Sequence, residues 1–261
     1  MPFITRGGVR IHYEVQGEGL PLLLHAGGAG DLESWRLAGY VDALQSEHRL
    51  ILMDHRGHGR SDKPRDPRAH RIEEYRDDVR AVLDAAQCDR AIFVGYSDGS
   101  KVGAALAEGD PGRVSALIDI DGLEPRDLTD PMSRDRQQRH ELAQLVRQRG
   151  LADVVRAGAK KEGYHGPESV LENIAATDPE MFALELEQWR QWDGPASVLR
   201  RLRVPVLLLQ AERSYSEADR EEMRRINPRS KSRLLPGVGH FGAFAGVDLV
   251  MPPLRKFVST L

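Results

Sequence analysis

Two kinds of hydrophobic run alternate along this chain. Residues 21–24, 50–53, 91–94, 114–120 and 204–209 are short and almost continuously apolar, the pattern of strands buried on both faces of a parallel sheet. Between them, apolar residues recur every three or four positions. Trp35, Leu37, Val41 and Leu44 define one such face over residues 34–45, and Tyr75, Val79, Val82 and Leu83 define another over residues 72–86; both predict helices. Residues 100–107 predict a further helix, ended at Gly109-Asp110-Pro111. Residues 9–15 alternate and predict an early strand, with residues 3–5 as its partner across Gly7-Gly8. A last strand is expected at residues 232–235 and a closing helix at 247–260.

The pattern changes between residues 123 and 203. Strand signals vanish there, and charged, helix-like stretches follow at 133–149, 151–159, 167–176 and 179–192. Alternating strands and helices predict an α/β fold: a mostly parallel, eight-stranded sheet with helices on both faces. Residues 1–122 and 204–261 form its core domain, and residues 123–203 read as an inserted helical cap. Such a cap would sit over the strand ends, where open α/β sheets bind ligands.

Composition narrows the function classes. A hydrophobic content of 40% and a charged content of 30% fit a globular chain. A net charge of -3 favours neither nucleic acid nor an anionic membrane as partner. The one cysteine, Cys88, permits no intrachain disulfide. No Cys/His grouping has zinc spacing, so no metal is expected. Residues 1–6 lack the apolar core of a signal peptide, and no apolar span reaches membrane length. A cytoplasmic location is the expectation.

The candidate chemistry lies where the apolar runs end. Gly95-Tyr96-Ser97-Asp98-Gly99 joins a predicted strand to a predicted helix with a serine at its apex. A serine in so sharp a turn is lifted clear of the sheet, and flanking glycines let strand and helix pass closely. The run 21–24 ends in His25-Ala26-Gly27-Gly28-Ala29-Gly30, whose small residues let backbone approach a ligand. The run 50–53 leads into Asp54-His55-Arg56-Gly57-His58-Gly59-Arg60-Ser61-Asp62, read as a surface loop braced by local ion pairs. Near the end stands Gly237-Val238-Gly239-His240-Phe241.

With these four motifs in this order, the chain resembles the α/β-hydrolase superfamily, and within it the capped, cytosolic esterase-type branch. The resemblance implies a serine hydrolase. Ser97 would be the nucleophile and His240 its base, since a hydroxyl needs an adjacent proton acceptor. The backbone N–H groups of Gly27 and Asp98 would form the oxyanion hole. The Asp98 side chain reads first as a helix-start charge. The acid departs from the family's usual pattern. The usual position, after the strand at 204–209, is occupied by Ser214. Asp121, at the end of the sixth strand, is the first choice; Glu212 is the alternative acid, and a structural role for Asp121 stays open. Trp35, Trp189, Trp192 and Phe241 are candidates for the substrate pocket, with packing on the sheet domain as the competing reading for the tryptophans.

The activity expected from this reading is cleavage of a small to medium carboxylic ester or lactone through an acyl-enzyme, without cofactor. Two alternatives stay open: a cofactor-free C–C bond hydrolase of a diketone-like substrate, and a weakly hydrolytic binding or receptor protein. The expected partner is the small-molecule substrate, with no nucleic acid and no membrane, and a homodimer is left open.

Overall fold

The computed structural model describes residues 2–127, 134–190 and 192–261. Its eight strands are β1 (Phe3–Arg6), β2 (Val9–Gln16), β3 (Leu20–His25), β4 (His48–Met53), β5 (Ala91–Tyr96), β6 (Val114–Ile120), β7 (Val206–Ala211) and β8 (Lys231–Leu235). They form one sheet in the order β1-β2-β4-β3-β5-β6-β7-β8. The β1–β2 and β2–β4 pairs are antiparallel, and every later pair is parallel. The sheet is therefore the mostly parallel, eight-stranded one expected from the patterning.

The continuous apolar runs divide by alternation. Leu22, Leu24, Ile92, Val94, Ile118 and Leu209 face one helical layer, while Leu23, Phe93, Leu117 and Leu208 face the other. A strand buried on both faces has no polar side to show, so period two is invisible in its sequence and appears only in the fold. One layer holds α1 (Leu32–Leu37), α2 (Tyr40–Leu44) and the terminal α11 (His240–Ala245) and α12 (Val247–Val258). The other holds α3 (Ile72–Ala85), α4 (Asp98–Gly109), α9 (Pro195–Arg201) and α10 (Glu217–Ile226).

The single helix expected over residues 34–45 is two helices. Asp31 caps α1 through its carboxylate, which accepts the Glu33 and Ser34 N–H groups. Gly39 then turns the chain with φ of 86° before α2 starts, a conformation that costs glycine little. The reading of residues 54–62 as a surface loop is also overturned. Asp54, His55, Arg56, His58 and Ser61 are all buried. The glycines that suggested an exposed turn instead let the loop fold under the helix at Pro179–Trp189, with Arg56 bonded to Asp78 at 2.7 and 2.8 Å.

Between β6 and β7 run α5 (Arg134–Arg149), α6 (Leu151–Glu162), α7 (Glu168–Ala175), α8 (Pro179–Trp189) and α9. The helix expected over 179–192 stops at Trp189, so Trp192 lies beyond it. Helices α5 to α8 lie over the carboxyl ends of β3 and β5. Helix α9 instead rejoins the layer beside α4, where Val198 and Leu199 are fully buried.

Candidate active site

The site starts at the sharp turn after β5. Ser97 sits at φ 52°, ψ -123°, a region that a residue with a side chain avoids unless the surroundings enforce it. Its N–H donates to Ile120 O at 3.0 Å and its carbonyl accepts Ser100 N–H at 3.0 Å. The two flanking glycines are sterically required. A Cβ at Gly95 would stand 2.5 Å from Ser100 N, and one at Gly99 would stand 2.3 Å from His25 O. The turn therefore closes only with hydrogen at both positions, and the Ser97 hydroxyl is held above the sheet edge.

His240 opens α11 rather than lying in a loop. Its Nε2 is 2.9 Å from Ser97 Oγ and its Nδ1 is 2.8 Å from Asp121 Oδ2. Tyr96 stacks on the imidazole at 5.0 Å and donates its hydroxyl to His240 O. Glu162, at the end of α6, accepts the Phe241 N–H at 3.1 Å. Desolvation in the cleft pulls the His240 pKa down, but the Asp121 hydrogen bond and charge, helped by Glu162 and Asp98, outweigh it. The net direction is upward from the usual histidine value.

Asp121 follows β6 at φ 54°. Its Oδ1 accepts the Ala211 N–H at 2.7 Å, and Oδ2 accepts the Ser214 hydroxyl at 2.6 Å as well as His240. Asp119 ties the turn beneath it by accepting the Gly122 and Leu123 N–H groups. Burial, and to a smaller extent the Asp121 charge, pushes the Asp119 carboxyl up to about 7. Glu212 is not part of this arrangement. Its carboxylate accepts the Gly237 N–H at 2.7 Å at an exposed position.

Gly27 and Asp98 flank Ser97 from two sides. A Cβ at Gly27 would stand 3.0 Å from Ser97 Cβ, so the β3 loop lies directly against Ser97. Asp98 is the first residue of α4, and an N–H at that position has no acceptor within its helix. The Asp98 side chain does more than face a helix dipole. It is buried and paired with Lys101 Nζ at 2.9 Å and with the Arg139 guanidinium from α5. Burial would raise its pKa, but Arg139 and Lys101 hold the carboxyl well below the usual carboxylate range. The Asp98–Lys101 spacing is visible in the sequence as an i,i+3 pair. Arg139 lies 41 positions away, and no local signal points to it.

These residues floor a cavity of about 680 Å³. Its walls include Leu142 of α5, Val155 of α6, Ile174 of α7, Phe182 and Leu186 of α8, and Phe241. Lys101, Arg139 and Tyr215 line it on the side of Asp98. Of the four pocket candidates only Phe241 lines this cavity. Trp35 is fully buried edge-on to Tyr40 and Phe244 at 4.8 and 5.0 Å, below the floor. Trp189 turns to the sheet domain, donating its indole N–H to His70 O and meeting Tyr75 edge-on. Trp192 packs half-buried on that same layer. Trp189, at the end of α8, and Trp192 beyond it serve adhesion to the core, while Phe182 and Leu186, earlier along α8, meet the ligand space.

Behind Gly28, away from Ser97, His55, His58 and Glu185 are all buried, with ligand-type atoms within 4.8 Å of one another. Among the described residues this is the grouping able to hold a metal ion. His58 Nδ1 is 3.1 Å from Arg56 O, and burial pushes the His58 imidazole down to about 4. Burial likewise keeps the Glu185 carboxyl protonated far above its usual range. Burial thus favours the uncharged form of all three groups, with His55 Nε2 3.7 Å from Glu185 Oε2. Among the described residues no helix is long and apolar enough to cross a membrane.

Comparison with known proteins follows this geometry. The model of the family described as alpha/beta hydrolase fold matches residues 21–161. RutD of Azorhizobium caulinodans, provisionally named a carbamate hydrolase, is 38% identical over 122 residues, 47% of this chain and 44% of its own length. Esterase YbfF of Escherichia coli is 26% identical over 92% of this chain and 93% of its own. The enol-lactonase of Burkholderia xenovorans superposes with a TM-score of 0.81 at 21% identity, over 99% of this chain and all of its own, a likeness of fold. The matches to the first curated relatives span under half of those proteins' lengths.

Proposed function

The chain belongs to the α/β-hydrolase fold family, and from that premise we propose that it is a serine hydrolase cleaving a carboxylic ester or lactone of small to medium size. The observation that carries this reading is the unbroken relay of two hydrogen bonds, Ser97–His240–Asp121, at the floor of a cavity walled by apolar side chains. The full-length likeness to a protein named as an esterase supports it.

The chemistry follows from the contacts. With the Nδ1 proton held on Asp121, His240 Nε2 is free to take the Ser97 proton as Oγ attacks the substrate carbonyl. The negative oxygen that develops meets the N–H groups of Gly27 and Asp98. Donors so placed are worth about 3 kcal/mol each in comparable hydrolases. His240 then returns the proton to the leaving alcohol, or to the ring-opened hydroxyl of a lactone, which stays in the product. Water, deprotonated by the same imidazole, releases the acid from the acyl-enzyme. Asp121 orients the ring and offsets the imidazolium charge at both stages. Its bond to His240 supports this reading over that of a weakly hydrolytic binding or receptor protein.

The test is labelling with a fluorophosphonate, with the adduct located by mass spectrometry. Rapid modification of Ser97, abolished in Ser97→Ala and strongly slowed in His240→Ala, is the expected result. Absence of an adduct at Ser97 would reject an activated serine. A panel of esters, lactones and a vinylogous diketone then fixes the substrate class, and turnover of the diketone alone would replace the ester reading with C–C hydrolysis.

A further inference from the structure

Ser214 occupies the turn after β7, the usual seat of the acid, and its side chain is engaged there. Its Oγ donates to Asp121 Oδ2 at 2.6 Å, and that same oxygen receives His240 Nδ1 at 2.8 Å. We propose, resting on the reading of Ser97, His240 and Asp121 as a catalytic relay, that Ser214 is a positioning residue for it. Its hydroxyl aims the Asp121 carboxylate and moderates the charge presented to His240.

Three donors fix the carboxylate. Ala211 N–H holds Oδ1 at 2.7 Å, while Ser214 and His240 share Oδ2. The Asp121 side chain is fully buried, so each donor replaces hydration lost on folding. Two donors on one oxygen draw on the same electron density. Removing the hydroxyl therefore leaves more charge facing the imidazole and favours its protonated form. Tyr96 from β5, Asp98 from α4, Glu162 from α6, and Glu212 and Arg213 from the β7 loop also face the histidine or its loop. A change at Ser214 leaves all of them in place, so a shift in the histidine's titration reports on the hydroxyl.

The experiment measures the rate of Ser97 phosphonylation against pH by intact-mass spectrometry, which needs no identified substrate. Ser214→Ala is expected to move the acid limb up by about 0.5 pH unit, while Ser214→Thr, which keeps a hydroxyl, stays at the wild-type position. Asp121→Asn is expected to label at least ~100-fold more slowly. An unmoved limb in Ser214→Ala with an unchanged thermal midpoint would overturn the proposal. A uniform loss of rate at every pH would likewise mark Ser214 as merely structural. Failure of the wild-type protein to label at Ser97 is a separate result, and it would remove the catalytic reading together with this inference.

Discussion

Asp121 and Glu212 illustrate how one hydrogen bond separates residues of the same chemistry. Both are carboxylates at strand ends, yet one bonds His240 and the other bonds the Gly237 N–H. Asp121→Asn should lower kcat by roughly 10⁴-fold, the cost of losing the acid in a well-studied serine triad. Glu212→Gln keeps an acceptor for Gly237 and should change kcat less than about threefold, because its partner is a backbone amide outside the relay. Steady-state kinetics on any turned-over ester checks both. The direction of the His240 shift sets the pH profile. A general base works only when neutral, and its pKa is held above the usual 6.5. The acid limb of kcat/KM should therefore lie above pH 6.5, and activity should fall as pH drops through it. A limb below that value, measured at constant ionic strength, would contradict the Asp121 pairing.

The turn from β5 to α4 makes its demands at the level of the element. It brings α4 against the β3 loop so tightly that a methyl group at Gly99 would meet His25 O at 2.3 Å and Ala26 O at 2.5 Å. Gly99→Ala should then displace the turn, with loss of phosphonate labelling by at least ~100-fold and destabilisation of several kcal/mol, since a backbone carbonyl cannot step aside as a flexible side chain does. Labelling rate and chemical unfolding measure the two effects. The same element shows what was legible. Gly95, Ser97 and Gly99 are separated by single residues, and the physical need for each is local, so the spacing, set between a continuous apolar run and a helical one, announced the turn. The break at Gly39 was not announced, because Trp35, Leu37, Val41 and Leu44 keep the helical period across it. The buried loop at 54–62 misled for the opposite reason. Its charges are neutralised by partners remote in sequence, Asp78 among them.

At the scale of the whole molecule, the helices between β6 and β7 are coupled to the turn at Ser97 through a buried ion pair. Arg139 on α5 holds Asp98, the residue after Ser97. Arg139→Ala leaves Asp98 with Lys101 as its cation and should cost about 2–3 kcal/mol, less than breaking an isolated buried pair. That corresponds to a fall in the thermal midpoint of about 5 °C or more, which calorimetry reads directly. An unchanged midpoint would mean that the pair adds nothing beyond the packing around it.

What this sequence determined by itself was local or periodic. The continuous apolar runs specified a sheet buried on both faces. The glycine spacing specified the turn at Ser97, and the order of motifs placed His240 after the last strand. Each depends on neighbours a few residues apart, so it is written in contiguous sequence. The tertiary structure decided the rest. It joined Asp121 to a histidine 119 positions away, put Ser214 on the same oxygen, turned Trp189 to the core and Phe182 to the cavity, and tied Arg139 to Asp98. Those choices depend on which strand ends converge and which face of each inserted helix meets the sheet. Only the packed chain sets those distances, because many residue pairs of matching chemistry compete for each contact until the backbone has fixed which of them can touch.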